Sequence, residues 1–223
     1  MLRRSPYDRE ILALAAPALG ALAVEPLYVL CDTAIVGHLG TRQLAALAIA
    51  GTLLTSSFWV FNFLAYGTTA RVAWLTGRRD DAGAGAVAIQ GLWLCAVLGL
   101  PLALLLATAA GPAARALGGH GRVLAAGVTY LRISAIGVPA VLVALVGNGY
   151  LRGRSDTRTP LVILAAANAL NLLLELLFVY GFDWGLRGSA WGTVLAQWVA
   201  AAAFGGLLVR RLRAAGGRLA PDP

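Results

Sequence analysis

Residues 25–40 read EPLYVLCDTAIVGHLG, and the solvent around this stretch decides the fold. Two carboxylates, Glu25 and Asp32, stand in an otherwise apolar run with no basic residue between them. The composition of the whole chain identifies that solvent. Of 223 residues, 59% are hydrophobic and only 13% are charged, and the mean hydropathy is +0.77. A soluble domain is about 45–50% apolar and about 25% charged, so this chain is built for a bilayer.

A hydrocarbon core about 30 Å thick needs about 20 mostly apolar residues per helix. Six stretches meet that length, at about 11–36, 44–73, 82–110, 123–149, 161–181 and 186–209. They predict an all-α membrane protein of six transmembrane helices, with tails at 1–10 and 210–223. The first stretch reads as an uncleaved span, since its apolar run continues past any small-residue cleavage site and Asp8 and Glu10 precede it.

The net charge of +8 raises nucleic acid as a partner, but the placement of the charge argues otherwise. Every basic residue apart from the two histidines is arginine, and thirteen of the 18 fall in the two tails and the second and fourth connections. That bias predicts cytoplasmic N- and C-termini. Cys31 and Cys95 lie within predicted spans and are expected to be free, buried thiols. Thr159 and Pro160 suit the cap and first position of the fifth helix. Pro17, Pro26, Pro101 and Pro139 fall inside spans, where proline bends a helix and frees a carbonyl.

An ionisable group within a span costs about 2.5–3.5 kcal/mol on insertion scales and usually faces the bundle interior or a water-filled cavity. Asp32 follows Glu25 by seven residues, which places both on one helix face with Tyr28 between them. In the fifth span, NALNLLLELLFVYG, Asn168, Asn171 and Glu175 share a face at i, i+3 and i+7. Thr55, Asn62 and Thr69 recur at steps of seven in the second span, and Thr193 and Gln197 stand at i and i+4 in the sixth. Threonine, asparagine and glutamine also join helices in a bundle, so each of these taken singly has a purely structural reading. Joining helices does not require an ion, and three carboxylates in two helices therefore point to a proton or cation site.

Metalloprotease, serine-hydrolase and phosphate-loop signatures are missing, and there is no lysine. No enzyme activity, metal or cofactor is expected.

Three motifs, DTAIVGHLG at 32–40, LRGRSDTRTP at 151–160 and NALNLLLELLFVYG at 168–181, together resemble the multidrug and toxic compound extrusion transporters, in the branch typified by DNA-damage-inducible protein F. The resemblance runs along essentially the whole chain. It implies an antiporter of the inner (plasma) membrane that exports organic, often cationic, compounds in exchange for H+ or Na+. It assigns the coupling ion to Asp32 and Asn171, with Glu175 where many members carry aspartate. Asn168 and Glu25 join them as coupling candidates from the residue reading, and Tyr28, Thr55, Asn62, Thr69 and Gln197 as cavity candidates.

Family members have twelve spans in two lobes, so six spans match the N-terminal lobe. The expected partners are membrane lipid, a small organic substrate, and a second six-helix lobe or a copy of this chain to cover the polar face. A flippase for a lipid-linked precursor, built on a related bundle, and a non-transporting truncated membrane protein are the alternative readings.

Overall fold

The computed structural model describes residues 26–214, so Glu25, Pro17, the tail at 1–10 and residues 215–223 lie outside the described residues, while 210–214, expected as tail, extend the last helix. Among the described residues every regular element is helical. The first helix, α1, is described over 26–38. Helices α2 (Thr41–Val60) and α3 (Asn62–Gly77) are separated only by a break at Phe61, and together make one apolar rod of 37 residues.

Helix α4 (Asp81–Ala116) is capped by Asp80, whose side chain accepts from the Gly83 N–H at 2.8 Å. Helices α5 (Gly121–Ala135) and α6 (Val138–Gly153) meet at a 50° bend. Helix α7 (Arg158–Leu176) continues into a π-helical turn, Leu177–Gly181, and α8 (Leu186–Ala214) follows. Four of these rods are long and apolar enough to cross a membrane, and the bent α5–α6 pair makes a fifth.

The α5–α6 bend has a covalent cause. Pro139, near the start of α6, has no N–H to offer the Ala135 carbonyl. The neighbouring Ile136 carbonyl is instead met from α8, by the Trp198 indole N–H at 3.1 Å.

The start of α7 corrects the sequence expectation. Thr159 does not cap the helix; it lies inside the first turn. The capping group is Asp156, which accepts from the Thr159 N–H at 3.1 Å and from its hydroxyl at 2.9 Å. A carboxylate accepts more strongly than a hydroxyl, so it displaces the threonine from that role. A second correction concerns the thiols: Cys95 is buried, but Cys31 is exposed on α1, because its side of that helix packs against nothing among the described residues.

Three apolar clusters hold the bundle. One, around Val36, Ala46, Leu131 and Leu186, joins α1, α2, α5 and α8. Another, around Val72, Ala84, Leu151 and Phe204, fixes the arginine-rich end, and a third, with Leu64, Cys95, Leu142 and Val146, lies between α3, α4 and α6. Large apolar side chains such as Trp59, Val97 and Leu104 are well over half exposed, as expected of a surface that faces lipid.

Close helix approach depends on glycine at two places that matter for function. A Cβ on Gly149 would lie 2.6 Å from the Ala65 carbonyl oxygen, so only glycine lets α6 pack this tightly on α3. A Cβ on Gly192 would lie 3.1 Å from the Glu175 nitrogen. Glycine there allows α8 to press against the turn of α7 that carries Glu175.

Two ion pairs bring the arginine-rich segments to one end. Arg154 donates to Asp81 at 2.7 Å, and Arg211 donates to Asp156 at 2.9 Å. The Thr159 N–H, followed by its hydroxyl and the Arg211 guanidinium, holds the Asp156 carboxyl below the usual carboxylate range. At the opposite end Phe178, Phe182 and Trp184 stack with ring centroids 5.2–5.8 Å apart. Aromatic residues at that level suit the membrane–water boundary.

Candidate functional site

The tight α7–α8 contact takes Glu175 out of all contact with solvent, at 0% exposure. On α1, Asp32 is half-buried and is anchored by the Ser189 hydroxyl, which donates to its Oδ1 at 3.3 Å. The end of α1 is tied to the π-helical turn by the Tyr180 hydroxyl, which donates to the Ile35 carbonyl at 3.2 Å. The Asp32 and Glu175 carboxyl groups are thereby brought side by side, with the Tyr28 and Tyr130 phenols as polar neighbours.

Fixed partners for this pair are few. Among the described residues neither Glu175 carboxyl oxygen has a hydrogen-bond partner, and neither does Asn171 Oδ1, although Asn171 is only 2% exposed. No arginine is paired with Asp32 or Glu175 among the described residues. Adjacent carboxyls in a low dielectric cannot both carry a bare charge; they must share a proton or hold a cation. A proton or another small cation would meet that requirement.

Beside this cluster lies a cavity of about 410 Å³. Tyr28, Asn168, Asn171 and Gln197 line it, together with Thr193, whose hydroxyl donates to the Ser189 carbonyl at 3.1 Å. Asn171 borders both the cavity and, one turn away, Glu175.

The polar residues of the second span are placed differently. Thr55 is exposed, and Asn62 is half-buried just after the Phe61 break. The Thr69 hydroxyl donates to the Ala65 carbonyl at 2.7 Å and to the Gly149 carbonyl at 3.2 Å. It joins α3 to α6, the structural role the residue type allows, and none of the three lines the cavity. Glu25 lies outside the described residues.

Four residues absent from the sequence reading contribute. Ser189 completes an i, i+4, i+8 stripe with Thr193 and Gln197 on α8, a continuation visible in the spacing. Asn148, which lines the cavity, is a polar residue between two glycines inside an apolar span and was also detectable. Tyr130 and Phe58 carry no such signal, because aromatic residues are ordinary in spans.

Comparison with known proteins places this arrangement. The family model MatE matches residues 17–177. The DNA damage-inducible protein F of Escherichia coli (strain K12) is 31% identical over 92% of this chain and 45% of its own length. The probable multidrug resistance protein NorM of Thermotoga maritima is 26% identical over 86% of this chain and 42% of its own length.

Among solved structures, a MATE protein in complex with MaD3S superimposes with a TM-score of 0.82 and 29% identity, covering 90% of this chain and 46% of that one. A MOP superfamily transporter from Pyrococcus furiosus gives the same TM-score and identity, covering 90% of this chain and 45% of that one. The chain spans less than half the length of each of these proteins. With a family-model match over most of its length and a relative above 30% identity along nearly all of it, this multi-pass membrane chain belongs to the multidrug and toxic compound extrusion family, MatE.

Proposed function

We propose that the chain forms one lobe of a secondary antiporter of the inner (plasma) membrane, exporting organic compounds, cationic ones among them, in exchange for H+ or Na+. The observation that carries this reading is the meeting of Asp32 and Glu175 inside the bundle without an arginine. A proton shared between the two carboxyls would reduce their charge from two to one and relieve their mutual repulsion. Na+ would serve equally, since hard cations favour oxygen ligands and Asp32, Glu175, Asn171 Oδ1 and the Ser189 hydroxyl all supply them. Asn168 and Glu25 remain candidates for the same task.

Exchange follows from shared residues. Asn171 faces the cavity and also flanks Glu175, so occupancy of the ion cluster and of the cavity bear on one side chain. No cofactor is required, and the chain acts as a transporter and not an enzyme. Support comes from relatives named as multidrug resistance proteins, and from one in Shewanella oneidensis named as an FAD transporter.

A second lobe is part of this proposal. Alternating access rocks one repeat against another around a site between them, and a lone lobe has nothing to close its cavity. A second six-span lobe, complementary to this one and with its ends on the same side, is the partner we assign; a second copy of the chain is the other way to cover the face. The test is reconstitution of the assembled transporter in liposomes, with a pH or a Na+ gradient imposed in turn. The proposal requires one gradient to drive export of an organic substrate, and is overturned if neither does.

A further inference from the structure

A second cavity, of about 370 Å³, lies at the end of the bundle away from the arginine-rich segments. It is bounded by the start of α2, by α5 and by the loop that joins α7 to α8. Gln43, Thr129, Asp183 and Arg187 give it a polar wall, and a polar space of that size admits water. The fields of Asp183 and Arg187, one charge of each sign, offset each other there. This vestibule shares no lining residue with the cavity of about 410 Å³ that Asn171 borders.

The order of residues along three helices places the carboxyl pair between the two cavities. On α8, Leu186 lines the vestibule, Ser189 anchors Asp32, and Thr193 and Gln197 line the larger cavity. The Ser189 N–H donates to the Gly185 carbonyl at 3.3 Å, so one helical turn joins the vestibule wall to the group that holds Asp32. On α1 the same order holds. Tyr28 lines the larger cavity, Asp32 follows a turn later, and Val36, a turn beyond, packs in one cluster with Tyr130 and Leu186. Along α7 and its π-helical turn, Asn171, Glu175 and the buried Val179 repeat it.

A single layer containing Val36, Tyr130 and Leu186 therefore stands between the vestibule and the acids. Tyr130 belongs to both sides of that layer. It lines the vestibule, and its phenol neighbours Asp32, Glu175, Ser189 and Thr193. A thin apolar constriction is a common gate for ions, and the Tyr130 hydroxyl supplies an oxygen at its inner side.

We infer that the vestibule is the ion's own entry to Asp32 and Glu175, through the Tyr130–Leu186 layer, while organic cargo meets the pair from the larger cavity. This inference rests on the antiport reading and adds a route to it, with ion and cargo approaching the same carboxyls from opposite ends of the lobe. The arginine bias turns the vestibule end outward.

The test plugs the vestibule in the folded, assembled protein. In a Cys31→Ser background, with Cys95 buried, Thr129→Cys supplies a reactive thiol in the vestibule wall. Trimethylammonioethyl methanethiosulfonate then fixes a positive charge on it. Two quantities are read in lipid nanodiscs. One is the rate at which bound H+ or Na+ exchanges with the medium, followed by a pH dye or radioactive sodium; the other is the affinity for tetraphenylphosphonium. Labelling should slow ion exchange by about tenfold or more, the scale of a fixed like charge beside the path. It should leave tetraphenylphosphonium affinity unchanged, and a thiol reductant should restore the exchange rate. Ion exchange indifferent to the label, or cation affinity that falls in step with it, overturns the inference. Liposomes carrying the same protein separate this result from antiport. If no gradient drives export and the label still slows exchange, the antiport reading falls and the route stands. If a gradient drives export equally with and without the label, antiport stands and the route falls. A protein that holds no exchangeable ion overturns both.

Discussion

The acids at the two ends of α7 live under opposite rules. At its start, Asp156 accepts from Thr159 and from Arg211, and the nearby Asp81 is held by Arg154. At its far end, Glu175 is sealed from solvent beside Asp32 and has no hydrogen-bond partner among the described residues. In the first place the charge is answered by fixed protein groups, which staple the ends of α4, α6, α7 and α8. In the second no fixed basic group among the described residues answers the charge, and on the proposed reading a mobile ion supplies it. An acid paired within the protein organises structure; an acid left for an exchangeable ion is equipped for coupling.

That contrast breaks most sharply at Asp32. Asp32→Asn removes the exchangeable charge while keeping the size and a hydrogen-bonding side chain. Ion-driven transport by the assembled protein should fall by about a hundredfold or more, the scale of a positioned proton-transferring group, with insertion and monodispersity unchanged. Undiminished gradient-driven flux would remove Asp32 from the mechanism.

Glu175 sharpens the comparison by separating charge from reach. Glu175→Gln should reduce coupled transport about as severely as the Asp32 change, whereas Glu175→Asp, which keeps the carboxyl on a shorter arm, should retain a measurable fraction. Full coupling in the Gln variant with loss in the Asp variant would show that shape matters there and ion exchange does not.

Ser189 offers a smaller effect. Its hydroxyl orients Asp32 but carries no charge, so Ser189→Ala should shift the ion concentration for half-maximal transport by about fivefold, the worth of a typical net hydrogen bond. The maximal rate should change less than that. An unaltered ion dependence would assign Ser189 to packing alone.

The smallest expected effect lies at the structural end. Asp156→Asn should lower stability by no more than about 1 kcal/mol, the usual limit for a partly exposed ion pair, and leave ion dependence unchanged. The pH dependence has a definite sign. A carboxylate held below its ordinary pKa stabilises the fold above that ordinary value, about 3.9 for aspartate, and loses its contribution as pH falls through the folded-state value. The stability gap between wild type and Asp156→Asn should therefore be full at pH 6–7 and close below about pH 4. High salt should narrow it too, since exposed pairs are screened. A gap that persists in acid would show that Asp156 acts through something other than its charge.

The all-α bilayer architecture was legible because hydropathy over about 20 residues is a strong, local signal. The nearness of Asp32 and Glu175 was legible only in part. Spacing on each helix put Asn171 and Glu175 on one face, but the close α7–α8 approach depends on Gly192, and the tie of α1 to α7 on the π-helical turn after Leu176, and neither announces itself in a pattern. The seven-residue steps of Thr55, Asn62 and Thr69 in the second span show the limit of periodicity. Thr69 has the right spacing for a cavity, yet a neighbouring backbone carbonyl, exposed by Gly149, takes its hydroxyl. The capping of α7 failed for a similar reason, because Asp156 outcompetes Thr159 and local propensity does not rank two acceptors in three dimensions.

The claim that the buried acids answer to a mobile ion is tested most directly by counting ions. In the assembled transporter held in lipid nanodiscs, substrate addition should release bound H+ or Na+ to the medium, detected with a pH dye or with radioactive sodium. The account predicts release of a single ion per transporter from the unmodified protein, and none from either Asp32→Asn or Glu175→Gln, because the two carboxyls hold one ion between them. Release of the same quantity from the Asp32→Asn protein would contradict it.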